Sequence, residues 1–202
     1  LLALRWLAVA GQTIAVLFVN YGLGFSLPLG WCLAVIAASA WLNVFLSFAL
    51  PSQRLVSELE ATGQLAFDII QLALLLGLTG GLDNPFVILF VAPVTIAAAT
   101  VRPRFTVGLG ALAVAAIVLL ALFALPLPWF GGETFAQPFL IRVGLGCALV
   151  IGLIFTGVYS WRVANEEGRL ADALIATQAV LAREQRLAAL GGLAAAAAHE
   201  LG

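Results

Sequence analysis

Charged residues are scarce in this sequence. Only 9% of its 202 residues are charged and 63% are hydrophobic, whereas a soluble domain carries about 25% charged residues. The formal net charge is -1, so the chain lacks the basic field that nucleic-acid binding requires, and we exclude nucleic acid as a partner. Methionine is absent, and we therefore expect an N-terminus that has been processed or trimmed. The scarcity of charge predicts a membrane protein.

Cysteine and histidine are equally rare. The two cysteines, Cys32 and Cys147, both lie in long apolar runs, where a free cysteine behaves as a small hydrophobic residue. We therefore expect no disulfide. The one histidine, His199, lies near the end of the polar tail, so the apolar segments contain no histidine to bind haem iron.

Six apolar stretches reach or approach the length of about 20 residues that a helix needs to cross a bilayer. They are residues 4–21, 28–50, 60–78, 85–101, 105–125 and 139–161. Most of the remaining charges follow Arg162. The predicted fold is therefore all-α and polytopic, with a membrane domain of six transmembrane helices at 1–161. A cytoplasmic helix for coiled-coil dimerisation follows at 162–202.

Arginine predicts the orientation of the helices, because cytoplasmic loops retain positive charge and translocated loops lack it. The arginines on one side of a six-helix arrangement are Arg5, Arg54, Arg102, Arg104 and Arg162. This distribution predicts that both termini are cytoplasmic. Arg142 is the exception at the start of the sixth span, where we expect it to reach the outer surface or to pair with Glu133.

The tail carries apolar residues at coiled-coil spacing. The positions are Leu170, Leu174, Thr177 and Leu181, followed after a shift by Leu187, Leu190 and Ala194. Alternating steps of four and three residues are typical of a coiled-coil seam, and we expect a parallel homodimer. The alternative is a single amphipathic helix on the membrane surface, but the mixed signs of its charges disfavour it.

Near its end the tail contains Gly191, Gly192 and Leu193, then five helix-forming alanines, followed by His199 and Glu200. This run resembles the H-box of sensor histidine kinases. The resemblance implies that His199 accepts a phosphoryl group and that Glu200 acts as the acid/base beside it. The alternative is an alanine-rich helix with a solvated histidine.

A second motif lies between the third and fourth spans. Gly80, Gly81, Asn84, Pro85 and Phe86 match the Gly-Gly-x-x-Asn-Pro-Phe heptapeptide, and the segment resembles the RegB/PrrB family of redox-responsive kinases, whose membrane domain has six spans. The resemblance implies that these five residues bind ubiquinone. Free N–H groups at the helix start would then donate to a quinone carbonyl, and Phe86 would stack on the ring. The alternative is a simple turn, with Asn84 as a helix cap.

The third span contains polar residues on one helical face, near the middle of the membrane. Gln64, Asp68 and Gln71 follow the spacing i, i+4, i+7. A carboxylate at this depth indicates a functional group, so Asp68 is a candidate for the quinone site, for proton exchange or for a hydrogen bond at a dimer interface. The alternative is helix–helix packing.

Taken together, the two motifs imply the sensor part of a two-component histidine kinase in the bacterial inner membrane. In such a protein ubiquinone controls phosphorylation of His199, and a response regulator then receives the phosphoryl group. The expected partners are a second copy of the chain, the response regulator, lipid and quinone. No stretch resembles an ATP-binding domain, so we expect ATP and Mg²⁺ to bind only through a catalytic domain outside this chain. The alternative function is a transporter or a membrane subunit of a quinone-linked oxidoreductase.

Overall fold

The structure is a computed structural model that describes residues 2–49, 57–129 and 133–201. The helices are α1 (Leu2–Leu17), a π-helical turn (Phe18–Gly22), α2 (Leu29–Ala49), α3 (Glu58–Leu78), two 3₁₀ helices (Gly81–Asp83 and Pro85–Phe90), α4 (Val91–Thr100), α5 (Pro103–Phe123) and α6 (Phe139–Leu201). Two short strands, β1 (Leu127–Pro128) and β2 (Thr134–Phe135), pair antiparallel between α5 and α6. The chain divides into two compact units, Leu1–Ser160 and Trp161–Gly202.

Among the described residues, five helical segments are long and apolar enough to cross a membrane. They are Leu4–Gly22, Leu29–Phe48, Glu58–Leu78, Pro103–Phe123 and Phe139–Gln185. The fourth predicted span differs, because Pro85–Thr100 is shorter and begins as a 3₁₀ helix before it becomes α4. A 3₁₀ helix rises about 2.0 Å per residue and an α-helix about 1.5 Å. The whole segment is therefore about 27 Å long, close to the roughly 30 Å of a bilayer's hydrocarbon core.

The starts of α3 and α5 lie at the same end of the first unit. Ser57 caps α3, because its Oγ accepts from the Glu60 backbone N–H and the Glu60 carboxylate accepts from the Ser57 N–H. Such a reciprocal cap satisfies two donors that the helix start leaves without partners. Arg102, just before α5, forms an ion pair with Glu58 at 3.1 Å. This end is opposite the turn that follows α3.

The core of the first unit lies between α3, α4, α5 and the membrane part of α6. Leu65, Ile69, Phe90, Ala97 and Ala113 are among its most deeply buried residues. Alanine at such positions lets helix backbones approach closely, which is how helices associate where lipid removes the hydrophobic driving force. Leu149 and Leu153 connect α6 to the same cluster.

A smaller apolar cluster joins α1, α2 and α3. Val16, Cys32, Ile36 and Leu75 are buried together in it. Both cysteines of the chain are free thiols, with Cys32 buried and Cys147 exposed. Cys32 therefore acts as a small core residue, as its apolar surroundings predict.

Arg5 lies in the first turn of α1, within the first predicted span, and its predicted place on the cytoplasmic side stays a prediction. Its side chain is buried and pairs with Asp68 of α3. The cause is the cost of an unpaired charge in hydrocarbon, which favours an internal partner over an apolar surface. Of the other arginines on that predicted side, Arg54 lies outside the described residues.

The second unit, Trp161–Gly202, is helical throughout its described part. Leu170, Leu174, Thr177 and Leu181 all have exposed side chains in the single chain. The side chains of Leu187, Leu190 and Ala194 lie outside the described residues. The coiled-coil seam and the parallel homodimer stay predictions.

Candidate functional site

Two glycines form the turn that ends α3. Gly80 has φ 110° and Gly81 has φ 57°, both in the left-handed region that L-residues with a Cβ adopt only at a cost. Gly80 follows the C-cap residue Thr79, which is the usual position for a glycine that stops a helix. The first two positions of the heptapeptide are therefore required by the local backbone.

Packing requires the same two glycines. A Cβ on Gly80 would lie 2.8 Å from the Cβ of Leu127, and one on Gly81 would overlap the Ala124 Cβ and lie 3.0 Å from the Leu120 carbonyl oxygen. The Leu125 N–H also donates to the Gly77 carbonyl oxygen at 2.8 Å. The turn is therefore held tightly against the end of α5 and the strand β1 that follows.

Asn84 uses its whole side chain inside the turn. Its Nδ2 donates to the backbone oxygen and to Oγ1 of Thr79, both at 2.9 Å, and its Oδ1 accepts from the Phe86 N–H at 2.9 Å. The residue is only 9% exposed. Asn84 thus joins the end of α3 to the start of the next helix, and its polar atoms already have partners.

The backbone N–H groups at this helix start are also occupied, so the expectation that they are free for a quinone carbonyl is wrong. Pro85 has none, the Phe86 N–H donates to Asn84 Oδ1, and the Val87 N–H donates to the Asn84 backbone oxygen at 3.1 Å. The physical reason is the 3₁₀ geometry of Pro85–Phe90, since its i to i+3 bonds begin one residue earlier than α-helical bonds.

Phe86 is the heptapeptide residue that projects from the turn. It is 47% exposed, and Ile88 and Leu89 beside it are exposed as well. By contrast, Leu82 of the same motif is buried in the core. The motif therefore combines a rigid, internally bonded turn with one aromatic ring directed outward.

Arg142 in the first turn of α6 pairs with Asp83 of the heptapeptide. The predicted pairing of Arg142 with Glu133 is therefore wrong. Its Nη2 lies 3.0 Å from Asp83 Oδ2 and its Nε lies 3.3 Å from Oδ1. Arg142 remains part-exposed, whereas the Asp83 side chain is largely buried. A bidentate ion pair stabilises the buried Asp83 carboxylate more than it would stabilise the exposed Glu133, because solvent screens the charge of Asp83 less.

One face of α6 lies along this turn and along α4. Gly146 is one helical turn after Arg142, and a Cβ there would lie 3.7 Å from Leu82 Cδ1. Leu149 and Leu153 continue the buried face, and Gly157 lies against Val94 at the same 3.7 Å. The small residue Gly146 lets α6 approach the turn closely, and Gly157 lets it approach α4. Gly108, Gly110 and Gly144 have open space instead, so close packing does not explain them within one chain.

The polar face of α3 is directed toward α1. Asp68 binds Arg5 through both carboxylate oxygens, at 2.8 Å and 3.0 Å, and the Gln64 backbone oxygen accepts from Arg5 Nη2 at 3.4 Å. Gln71 forms a reciprocal amide pair with Gln12 of α1, with distances of 2.9 Å and 3.4 Å. These residues join two helices of one chain.

Asp68 and the heptapeptide are far apart, and the structure does not bring them into one site. Asp68 precedes Gly80 by twelve residues of α3 and its C-cap, which corresponds to about 18 Å at 1.5 Å per residue. A cleft of about 460 Å³ between α2 and α3 lies nearer to Asp68, with Leu42, Phe45, Gln64 and Phe67 among its lining. Its walls are mostly apolar.

His199 and Glu200 belong to α6, whose described backbone extends to Leu201. Their side chains lie outside the described residues. Their roles as phosphoacceptor and acid/base are therefore predictions that rest on the resemblance to the H-box.

Sequence reasoning missed the partners of the charged residues. Arg5 and Gln12 of α1 occur in the same order as Asp68 and Gln71 of α3, so two polar pairs in parallel helices were the available signal. Asp83 occupies a position that the heptapeptide does not specify, so the motif predicts no role for it. Its pairing with Arg142 depends on the tertiary contact of α6 with the turn.

Comparison with known proteins agrees with the architecture. The family model for the PilS-like transmembrane domain, a six-span domain, matches residues 22–170. Two curated relatives, both named Sensor histidine kinase RegB and both from Cereibacter sphaeroides, are 47% and 48% identical over 202 residues. The alignments cover 100% of this chain and 44% of each relative, so the chain spans less than half of their length. No solved structure matches the chain.

These matches confirm the predicted all-α, six-span membrane fold and the predicted resemblance to RegB-type kinases. The shorter fourth segment, Pro85–Thr100, is accordingly one of the six spans. The chain belongs to the family of PilS-like transmembrane domains, and it corresponds to the membrane part of its sensor histidine kinase relatives.

Proposed function

We propose that this chain is the membrane sensor part of a RegB-type histidine kinase in which ubiquinone, bound at the heptapeptide turn, controls phosphorylation of His199. The names of the relatives support kinase activity in the whole protein. The match of all five fixed heptapeptide positions supports the ligand. ATP and Mg²⁺ bind, in this proposal, to a catalytic domain outside the chain.

One observation carries the proposal. Phe86 exposes an aromatic ring on a turn that is rigid by its own hydrogen bonds, and the same turn contacts α6 through Leu82 and Asp83. The helix α6 also contains His199. A ligand at Phe86 would therefore bind to a turn that directly contacts α6, the helix that carries the proposed phosphoacceptor.

Each heptapeptide residue has a distinct part in this arrangement. Phe86 offers a ring face on which a quinone ring stacks, in the offset or edge-on geometries that aromatic pairs prefer. Gly80, Gly81 and Pro85 set the backbone, and Asn84 holds the turn together through its contacts with Thr79 and Phe86. Asn84 acts on the ligand through the shape of the turn.

The chemistry at the other end of α6 is phosphoryl transfer. A nitrogen of the His199 imidazole attacks the γ-phosphorus of ATP, a nitrogen–phosphorus bond forms, and the bond to the ADP oxygen breaks. Glu200 takes the imidazole proton and orients the ring. A response regulator then accepts the phosphoryl group, and a second copy of the chain completes the dimer through the seam of the tail.

The alternative of a transporter or an oxidoreductase subunit has less support. Charged residues inside a span mark a proton or ion path when they face a cavity. Here Arg5 and Asp68 bind each other within the chain, which favours a structural pair over a transport path.

Equilibrium binding of short-chain ubiquinone to the full-length protein in lipid nanodiscs tests the ligand. We expect Phe86→Ala to weaken binding about tenfold, the equivalent of roughly 1.4 kcal/mol for one lost aromatic contact. Phe48→Ala is the matched control. Phe48 is an exposed phenylalanine near the C-terminal end of α2, and it lies outside the heptapeptide turn. Parent-like binding by Phe86→Ala would place the quinone elsewhere, and absence of binding by the parent would remove the ligand from the proposal.

The proposed orientation has both termini in the cytoplasm of a bacterial inner membrane. Alkaline phosphatase is active only outside the cytoplasm, so fusions separate the two orientations. We expect activity after Asn84 and none after Trp161. The reverse pattern contradicts the orientation.

A further inference from the structure

The ion pair between Asp83 and Arg142 joins the heptapeptide turn to the first turn of α6. Two hydrogen bonds connect the side chains, at 3.0 Å and 3.3 Å. The Asp83 side chain is 8% exposed and that of Arg142 is 34% exposed. Charges that are partly removed from water attract each other more strongly than an ion pair that is fully exposed to water.

Each partner is fixed to its own backbone element. The Asp83 N–H donates to the Gly80 carbonyl oxygen at 3.0 Å, within the glycine turn. The Arg142 N–H donates to the Pro138 carbonyl oxygen at 3.1 Å, within the first turn of α6. The two side chains therefore link the glycine turn directly to the first turn of α6.

The other side chains at the start of α6 do not hold it to the unit. Phe139, Leu140 and Ile141 are all exposed. The next contacts along α6, of Leu145 with the core cluster and of Gly146 with Leu82, are apolar and have no directional preference. The ion pair is a directional contact between this helix end and the turn.

We propose that Arg142 is a positioning residue, whose ion pair with Asp83 couples the heptapeptide turn to α6. A ligand that shifts the turn then shifts α6 through this pair. The inference rests on the proposed function for the identity of the ligand, ubiquinone. The mechanical link itself requires only that the pair fixes the distance between the turn and the helix end.

A distance measurement tests the link without any ligand. Spin labels at Ile88→Cys and Phe139→Cys, both exposed positions, report the separation of the two elements in full-length kinase that carries Cys32→Ser and Cys147→Ser. Labelled protein is diluted with unlabelled protein in nanodiscs, so that only distances within one chain are measured. We expect a narrow distribution in the parent, and a broader or shifted one with Asp83→Asn or Arg142→Gln.

Two controls separate the ion pair from a general loss of structure. Glu133→Gln removes an exposed charge six residues before α6 that is outside the ion pair and should leave the distance distribution narrow. The charge exchange that combines Asp83→Arg with Arg142→Asp restores opposite charges and should narrow the distribution again. If the single variants keep the parent distribution, the inference is overturned.

The kinase readout tests the consequence for signalling. In autophosphorylation assays with increasing ubiquinone, we expect Asp83→Asn and Arg142→Gln each to raise the concentration for half-maximal response at least about fivefold. The charge exchange should recover most of the response, and Glu133→Gln should match the parent. Parent-like titrations in both single variants contradict the coupling. If the parent itself does not respond to ubiquinone, the proposed ligand is wrong, and the spin-label distances alone decide the inference.

Discussion

Arg5 of α1 and Asp68 of α3 form an ion pair inside the membrane part of the protein, with Nε–Oδ1 at 2.8 Å and Nη2–Oδ2 at 3.0 Å. Arg5 is only 4% exposed. Asp68 is ten residues after the start of α3, or about 15 Å into a span. At this depth each charge requires the other, because hydrocarbon offers no solvation.

We expect Asp68→Asn to lower the free energy of unfolding by about 3–5 kcal/mol, since it leaves the buried guanidinium without a counter-charge. Equilibrium unfolding in detergent micelles measures the change. Glu58→Gln is the control, because it breaks the exposed pair with Arg102 and should cost less than about 1 kcal/mol. The double variant with Arg5→Leu and Asp68→Leu should cost less than Asp68→Asn alone. Equal effects of Asp68→Asn and Glu58→Gln would contradict the buried pair.

Gly81→Ala should destabilise the turn by about 2–4 kcal/mol, because positive φ and overlap with the Ala124 Cβ act together. Gly108→Ala is the matched control, since Gly108 lies within α5 and a Cβ added there would meet open space. It should be neutral or stabilise α5 by up to about 1 kcal/mol. Thermal unfolding of both variants in the same detergent makes the comparison. Similar unfolding temperatures for the two would mean that the turn is not tightly packed.

Asn84→Ala should cost about 2–3 kcal/mol, because it leaves the Thr79 carbonyl and the Phe86 N–H without their partners. Asn84→Asp keeps an acceptor for the Phe86 N–H but loses the donor to Thr79, and we expect an intermediate loss. Thr100→Ala is the control. It removes an exposed hydrogen bond from the Thr100 hydroxyl to the Ile96 carbonyl oxygen and should change stability by less than about 0.5 kcal/mol. A loss no larger than that of Thr100→Ala would show that the cap contributes little.

Single cysteines along the tail should reveal the dimer seam. In a background with Cys32→Ser and Cys147→Ser, we expect Leu174→Cys and Leu181→Cys to form disulfides between chains under mild oxidation. Ala176→Cys lies about 200° around the helix from Leu174 and should cross-link poorly. Preferential cross-linking at Ala176 would place the seam on another face, and no cross-linking at any position would contradict a parallel coiled coil.

Local signals were sufficient to predict the membrane architecture. Segment length and hydropathy identified six spans, and the spacing of Gln64, Asp68 and Gln71 identified one polar face of α3. The partners on α1 were not predictable in this way, because they depend on which helices pack together. Arg5 was predictable as a charge at the start of the first span, but its position in the sequence does not show which residue it pairs with.

In the candidate site, too, the local turn was predictable and the tertiary contacts were not. The fixed residues of the heptapeptide predicted a glycine turn with an asparagine cap, and Gly80, Gly81 and Asn84 have that geometry. The 3₁₀ start of the next helix was not predictable, and it removes the free N–H groups. The ion pair of Asp83 with Arg142 joins residues 59 apart in the chain, so no local pattern contains it.

The most direct test of the central claim is the rate of ATP-dependent phosphorylation of the full-length protein in lipid nanodiscs, with and without oxidised ubiquinone. We expect the parent to be labelled at His199 and its rate to change severalfold with ubiquinone, whereas His199→Asn stays unlabelled although it inserts and folds normally. Labelling of His199→Asn, or a parent rate that ubiquinone leaves unchanged, would contradict the account.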